Sequence, residues 1–226
     1  MKSLRISLSN VCLDVDTPTG ERRRILHPTS VSISERVVAV VGANGSGKST
    51  LLRLIAGLAE PTSGTVSFSP EAPTSGFIFA NPTAQLIMPV VGEDIDFSLR
   101  TTTSGRRERR ARVMQILESL ELADRVDSSV YELSSGERQK VALAGVLAAE
   151  PELVLADEPT TLLDLRNAAE FQRRLLQLEV PLVYATHDLE FAAAAQRVLV
   201  FDHGRLVEDD EPAAAIARYR RLALRS

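Results

Sequence analysis

The sequence predicts an α/β fold that has a β-rich N-terminal part and an inserted α-helical subdomain. Valines occupy four of the five positions 37–41 and predict a buried strand. This strand leads directly into the glycine-rich segment Gly42–Thr50, and leucines at helical spacing follow it until Gly57. Strand and helix signals alternate again only after the middle of the chain. We therefore expect one domain over 1–226, with a core at 1–83 and 151–226 and a helical subdomain at 84–150.

The N-terminal part is predicted to consist mainly of strands, because its apolar residues alternate with polar ones. Residues 4–13 show this alternation most clearly. The other elements predicted here are a turn at 17–20, a charged loop or hairpin tip at 21–24, a short strand at 31–33, and strands at 65–68 and 76–79.

Helices dominate the second half of the chain, where apolar residues recur at helical spacing. The predicted helices cover 93–100, 106–122, 135–149, 165–178, 189–195 and 212–222. Strands are predicted at 153–156, 182–185 and 198–201, and His203-Gly204 is predicted to form a hairpin turn.

The bulk composition is that of an ordinary globular chain and excludes several classes of protein. Hydrophobic residues make up 44% of the 226 positions, which is enough for a substantial core. A net charge of −4 gives no general attraction to nucleic acid. The single cysteine, Cys12, fits a reducing compartment, and no apolar run is long enough to cross a bilayer. We therefore expect a cytoplasmic protein that reaches a membrane only through a partner.

The segment Gly42–Thr50, hereafter the phosphate loop, matches the pattern G-x-x-x-x-G-K-[ST] between a strand and a helix. Its glycines let successive N–H groups face one anion, and the helix adds the positive end of its dipole. Lys48 then reaches the β- and γ-phosphates, and Ser49 offers its hydroxyl to Mg²⁺. The chain is therefore predicted to be a P-loop NTPase. The predicted nucleotide contacts here are Asn44, Gly45, Ser46, Gly47, Lys48, Ser49 and Thr50.

Two further segments carry groups that suit phosphate chemistry. Asp157 and Glu158 follow a buried strand, at the sheet edge where α/β proteins place ligand-contacting groups. Asp157 is predicted to hold Mg²⁺ and Glu158 to polarise the attacking water. Ser134, Ser135 and Gly136 begin a helix and offer a second anion site, although taken alone they fit an ordinary helix N-cap better.

The order of these three segments resembles that of the ATP-binding cassette (ABC) family over nearly the whole chain. The resemblance implies an ATPase that works as a homodimer with ATP and Mg²⁺. It assigns Ser134–Gly136, hereafter the signature segment, to the γ-phosphate held by the opposite subunit, and Asp164 to the subunit interface. His187, which follows a predicted strand, is implied to contact the γ-phosphate. The implied catalytic residues are Lys48, Glu158 and His187.

The sequence departs from the family pattern at two positions. The aromatic residue on which adenine stacks in the family falls near Val15, which cannot stack in the same way. The glutamine that the family places after the strand 76–79 falls on Ala80. Gln85 is a candidate substitute, or belongs to the surface that faces a partner. We therefore expect weak base selectivity and an altered link between Mg²⁺ and the partner.

Residues 77–97 narrow the resemblance to one subgroup. Phe77–Leu86 followed by Glu93–Phe97 is similar to the F-Q-N-P-x-x-Q…E-D-[IV]-x-F pattern of energy-coupling factor (ECF) importer ATPases, and 144–148 resembles the same subgroup. These importers take up vitamins or transition-metal ions, and the single-ATPase type for biotin is the leading interpretation. The implied partners are a transmembrane coupling protein and a substrate-binding membrane protein. The ATPase would lie on the inner face of the cell membrane.

Two other functions within the family stay open. One is a soluble ABC ATPase in DNA repair or translation, and the other is the ATPase subunit of another ABC transporter class. The arginine run at 106–112 could suggest binding to nucleic acid or lipid, but no aromatic residue is interleaved with it. We interpret this run as the solvated face of a helix and expect no nucleic-acid partner. The same surface interpretation covers Arg218, Arg220, Arg221 and Arg225.

Overall fold

The computed structural model describes residues 4–18 and 20–224, and within them the strands form two sheets. The antiparallel sheet has the order β2-β1-β4. It contains β1 (Arg5–Asp16), β2 (Arg22–Ile33) and β4 (Ser63–Ser69). The second sheet contains β3 (Val37–Val41), β5 (Ser75–Ile78), β6 (Leu153–Asp157), β7 (Leu182–Ala185), β8 (Arg197–Asp202) and β9 (Arg205–Asp210). Its order is β5-β6-β7-β3-β8-β9, with β9 antiparallel to β8 and the other pairs parallel.

Helices connect the parallel strands and cover both faces of the larger sheet. They are α1 (Lys48–Ile55), α2 (Val91–Leu99), α3 (Arg106–Ser119), α4 (Ser135–Ala148), α5 (Leu165–Leu176), α6 (Leu189–Ala193) and α7 (Pro212–Ala223). Over the residues that the structure describes, none of these helices has both the length and the apolar character needed to span a membrane.

The central strands are apolar because the sheet is covered on both faces. Every residue of β3, β6 and β7 is buried. The core forms one cluster on each side of this sheet. Leu51, Leu52 and Ile55 of α1 join the cluster that also holds inward residues of β1 and β2, so α1 packs between the two sheets. This packing fixes the phosphate loop, which ends in α1, against the N-terminal hairpin.

The structure corrects two predictions in the N-terminal hairpin. Residues 22–24 of the charged loop or hairpin tip predicted at 21–24, and the short strand predicted at 31–33, are parts of one long strand, β2. Three consecutive arginines hide this strand in the sequence, but cross-strand partners on β1 accommodate them, and Arg24 forms an ion pair with Asp14 at 2.7 Å. Thr19 of the predicted turn at 17–20, and Arg225 of the predicted arginine surface, lie outside the described residues.

The arginine run on α3 is not wholly solvated, so that interpretation is wrong at Arg109. The side chain of Arg109 is only 14% exposed. Its guanidinium donates to Asp96 Oδ1 at 2.9 Å and to the carbonyl oxygens of Thr103 and Ser104. Arg109 therefore joins α2 to the start of α3 inside the helical region, whereas Arg106 and Arg110 are exposed.

Candidate functional site

Three neighbouring strands end at the same edge of the larger sheet and bring the predicted site residues together. β6, β7 and β3 are parallel and adjacent, with Asp157 paired to Ala185 and Ala185 paired to Val40. The phosphate loop follows β3, Glu158 follows β6 and His187 lies just beyond β7. This edge is the place where α/β sheets bind ligands.

The phosphate loop depends on glycine at two positions for different reasons. A Cβ atom at Gly42 would lie 2.2 Å from the carbonyl oxygen of Phe201, so the backbone passes too close to β8 for any side chain. Gly47 has a φ of +103°, in the region that favours glycine, and stands at the N-cap of α1. Gly47 has no side chain to cap this helix, so the first N–H groups of α1 stay available to a phosphate.

Lys48 is held over the loop rather than extended into solvent. Its side chain is 5% exposed, and Nζ donates to the carbonyl oxygens of Gly42 at 2.8 Å and Ala43 at 3.1 Å. An ammonium group has three donors, so one remains after these two bonds. Glu158 Oε1 lies 3.6 Å from the same nitrogen. The cation is thus oriented toward the space that the loop encloses.

Ser49 and Asp157 form an oxygen pair beside the loop. Ser49 Oγ donates to Asp157 Oδ1 at 2.8 Å. Burial raises the pKa of Asp157 above its ordinary value, although the hydrogen bond from Ser49 acts in the opposite direction. A hydroxyl and a carboxylate in contact are the kind of oxygen ligands that Mg²⁺ prefers. The residues present therefore fit this metal.

Glu158 is positioned by its neighbours on two sides. Its Oε2 lies 2.7 Å from His187 Nδ1 and accepts a bond from the hydroxyl of Thr161 at 3.3 Å. Its φ is +50°, a conformation that non-glycine residues adopt at a cost and often at functional sites. Oε1 is buried, and no donor among the described residues is within hydrogen-bond distance of it. One oxygen is thus fixed while the other is left without a hydrogen bond.

The signature segment is built on different elements from this cluster. Ser134 caps α4 by accepting from the N–H of Glu137 at 3.2 Å, while the Glu137 carboxylate accepts from the N–H of Ser134 at 2.8 Å. That bond from Ser134 holds the pKa of Glu137 below its ordinary range. Across the described residues, no hydrogen bond or ion pair links Ser134–Gly136 or Asp164 to Lys48 or Glu158. The predicted site residues therefore fall into two separate groups.

Asn167, which the sequence did not predict as a site residue, joins the signature segment to Asp164. Asp164 caps α5 by accepting from the backbone N–H of Asn167 at 2.9 Å and from its side-chain amide at 2.7 Å. The same amide group packs on Gly136, where an added Cβ would lie 2.9 Å from it. The spacing of three residues from Asp164 predicts a cap, but the contact with Gly136 has no local signal.

Comparison with known proteins agrees with this geometry. The ABC transporter family model matches residues 26–161. The chain belongs to the ABC transporter family. This ABC chain is 41% identical over 209 residues to the biotin transport ATP-binding protein BioM of Rhizobium etli, covering 89% of this chain and 93% of that protein. It is 37% identical over 186 residues to the energy-coupling factor transporter ATP-binding protein EcfA of Onion yellows phytoplasma, covering 77% and 69%.

A solved ABC structure confirms the predicted fold class. It is the dimeric post-hydrolysis state of the ATP-binding cassette MJ0796 bound to ADP and Pi. The TM-score is 0.82 at 27% identity, and the match covers 92% of this chain and 98% of that one. The prediction of an ABC-type ATPase with a P-loop core is therefore confirmed, and ATP is its nucleotide.

Gln85, the candidate substitute for the missing ABC glutamine, makes two hydrogen bonds to the backbone. Its Oε1 accepts from the N–H of Phe79 at 3.3 Å, and its Nε2 donates to the carbonyl oxygen of Ala142 on α4 at 3.3 Å. The buried Gln139 adds a bond to the carbonyl oxygen of Phe79 at 3.4 Å. Gln85 therefore joins the segment after β5 to α4. Over the residues that the structure describes, the side-chain hydrogen bonds of Gln85 go to backbone groups and not to the phosphate loop.

Proposed function

We propose that this chain is the ATP-hydrolysing subunit of an ECF-type importer for a vitamin or a transition-metal ion, with biotin as the leading substrate. The names of the relatives support the transporter class and the choice of biotin. The observation that carries the proposed mechanism is the cluster of Lys48, Glu158 and His187 beside an uncapped helix N-terminus. This cluster provides positive charge for phosphates and a positioned carboxylate for water.

The residues of one copy perform the chemistry of hydrolysis. Lys48 uses its remaining donor on the β- and γ-phosphates. Glu158, whose Oε2 contacts His187, polarises the attacking water. His187 presents its other ring nitrogen to the γ-phosphate. Ser49 and Asp157 would hold Mg²⁺, which supplies charge neutralisation between the β- and γ-phosphates.

A second copy would complete each site. Since no hydrogen bond or ion pair joins the signature segment to Lys48 or Glu158 within the described part of one chain, we place it on the γ-phosphate of the opposite copy, with Asp164 at the interface. The dimeric state of the similar cassette supports this arrangement. ATP then joins two copies across a two-fold axis, and loss of the γ-phosphate contacts lets them separate.

The helical subdomain at 84–150 would transmit this motion to the membrane partners. It carries both α4, which begins at the signature segment, and α2, which packs against α4 through one continuous core. The partners are a transmembrane coupling protein and a substrate-binding membrane protein. We place the ATPase on the cytoplasmic face of the membrane, attached through the coupling protein.

Replacing Glu158 tests the proposed function. Glu158→Gln should lower ATP turnover by about 10²–10⁴-fold, because it removes the base, and should retain ATP binding. The variant should also form a stable dimer when ATP and Mg²⁺ are added, measured by light scattering. Glu190→Gln, an exposed carboxylate near His187 in sequence, is the control. Unchanged hydrolysis, or a monomer at saturating ATP together with the membrane partners, would refute the mechanism.

Uptake of labelled biotin by the co-expressed complex tests the substrate.

A further inference from the structure

One face of α5 carries three polar residues that each contact the helical subdomain. Asn167, Glu170 and Arg174, hereafter the α5 stripe, are spaced by three and four positions and therefore lie on the same side of the helix. The amide group of Asn167 packs on Gly136 at the start of α4. The guanidinium of Arg174 donates to the carbonyl oxygen of Ser119, the last residue of α3, at 2.9 Å.

Glu170 lies between two cations, because one of its carboxylate oxygens contacts both. Its Oε1 lies 2.7 Å from Nζ of Lys140 on α4 and accepts from Nε and Nη2 of Arg174 at 3.1 and 2.9 Å. The side chains of Lys140 and Arg174 are only 14% and 18% exposed, so water screens these charges less than it screens a surface pair. The hydrogen bond from Lys140 is the main cause that holds the pKa of Glu170 below its ordinary value. The carboxylate is therefore ionised at neutral pH.

The ion pairs of the α5 stripe are the charged links between the helical subdomain and the core. Across the described residues, the ion pairs that join positions 84–150 to the core are Lys140–Glu170 at 2.7 Å and Glu121–Arg174 at 2.9 Å. Both of them end on α5. The helical subdomain is therefore tied by charge to this one helix of the core.

The residues of α4 that meet the α5 stripe also share one face. Gly136 and Lys140 are four positions apart, so they lie one turn apart on the same side of α4. Gly136 meets Asn167, and Lys140 meets Glu170 one turn later. Two successive contacts fix both the separation and the rotation of α4 relative to α5. The signature segment lies at the start of α4 and is held by the same contacts.

We propose that Glu170 is a positioning residue for ATP hydrolysis in the opposite copy. Through Lys140 it holds α4, and with it the signature segment, in the orientation that meets the γ-phosphate of that copy. This inference rests on the proposed function, because it assumes that the signature segment acts across the dimer interface. Without the carboxylate, Lys140 and Arg174 would face each other as two like charges and would push α4 away from α5.

The substitution Glu170→Gln removes the charge and keeps the shape of the side chain. We expect kcat for ATP to fall by about 2- to 30-fold, the range for residues that transmit coupling between sites. The affinity for Mg-ADP should stay constant, because ADP lacks the γ-phosphate and is bound by the phosphate loop. Steady-state kinetics and calorimetry measure the two quantities. The control is Glu179→Gln, which removes an exposed carboxylate beyond the end of α5 and should leave kcat unchanged.

A second pair of variants carries the same test if Glu170→Gln does not fold. Lys140→Met removes the other partner of the ion pair, whereas Lys140→Arg keeps its charge. Lys140→Met should show the same loss of kcat, and Lys140→Arg should retain most of the rate that Lys140→Met loses. Equal rates in these two variants would overturn the role of the ion pair.

Mixed dimers show in which copy Glu170 acts. When Glu170→Gln copies are mixed with an excess of Lys48→Ala copies, each active phosphate loop meets a signature segment that is held by an unsubstituted Glu170. The rate per Glu170→Gln copy should therefore rise to that of unsubstituted copies in the same excess. Glu158→Gln copies are the reference for a residue that acts in its own copy, and their rate should stay low on mixing.

The results separate this inference from the proposed function. Unchanged kcat in Glu170→Gln, a loss of Mg-ADP binding, or a rate per copy that does not rise on mixing would each overturn the positioning role. Gly136→Ala, which displaces the signature segment itself, serves as the comparison in the same mixing experiment. If Gly136→Ala copies also gain no activity from Lys48→Ala copies, the dimer arrangement of the proposed function fails as well.

Discussion

The phosphate loop and the signature segment both lead into a helix, but their helix starts are constructed in opposite ways. At α1 the N-cap is Gly47, which offers no side-chain bond, and the first turn contains no acidic residue. At α4 the N-cap is Ser134, which forms a reciprocal pair of bonds with Glu137. One helix start is left open for an anion, whereas the other is already stabilised from within the chain.

This difference indicates that the two halves of the site, the phosphate loop and the signature segment, need different partners in order to act. The phosphate loop is surrounded by its own chain, with Ser46 and Lys48 buried, and it needs only a nucleotide. The signature segment is capped from within its own helix, and in the described residues no hydrogen bond or ion pair joins it to the loop of its own copy. We therefore expect nucleotide binding to depend on the first half alone, and hydrolysis to depend on both halves in different copies.

The largest effect on ATP hydrolysis should come from a substitution in the phosphate loop. Lys48→Ala removes the buried cation and leaves the carbonyl oxygens of Gly42 and Ala43 without their donor. We expect kcat/KM for ATP to fall by about 10²–10³-fold, the typical loss of one charge-stabilising donor, with ATP affinity also reduced. Steady-state kinetics and calorimetry measure the two effects. Wild-type kinetics in this variant would show that Lys48 does not contact the phosphates.

The signature segment is tested by the substitution Gly136→Ala. The new methyl group would press on Asn167 at 2.9 Å and displace the segment. We expect hydrolysis and ATP-dependent dimerisation to fall by up to about 10²-fold, while the affinity of the monomer for ATP stays constant. Gly145→Ala, on the same helix, is the control, since its Cβ would lie 3.4 Å from Ser98 Oγ.

Mixing the two defective chains tests which copy supplies each half. A dimer of one Lys48→Ala copy and one Gly136→Ala copy would have one doubly defective site and one intact site. Activity should therefore reappear on mixing. If the mixture stayed as inactive as its components, both halves would have to act within one copy.

The smallest effect should come from Gln85, which joins the segment after β5 to α4. Gln85→Ala removes the bonds to Phe79 and Ala142 and should lower the free energy of unfolding by about 1 kcal/mol. Urea denaturation measures this change, and Gln115→Ala on the exposed side of α3 provides the control. A loss of hydrolysis far beyond the loss of stability would mean that Gln85 also serves the nucleotide.

Local patterns were sufficient to predict the fold class and the cluster at the strand ends. The valine run and the glycine spacing specify a strand, a loop and a helix without distant information, and parallel strands necessarily align their ends. Long-range partners were not predictable in this way. Arg22–Arg24 form a strand because β1 supplies their partners, and Arg109 is buried because Asp96 receives it. The side chain of Asn167 meets Gly136 only after α4 and α5 are packed.

The series of contacts from Glu158 to Asn167 has a consequence for the order in which the two ATP molecules are hydrolysed. Thr161 contacts Glu158, Asp164 follows three residues later, and Asn167 connects Asp164 to Gly136. In the proposed dimer, Glu158 faces one ATP molecule and Gly136 faces the other. Hydrolysis of one ATP molecule would therefore affect the site that holds the other. The two hydrolysis events should be coupled, and the rate should depend cooperatively on ATP concentration.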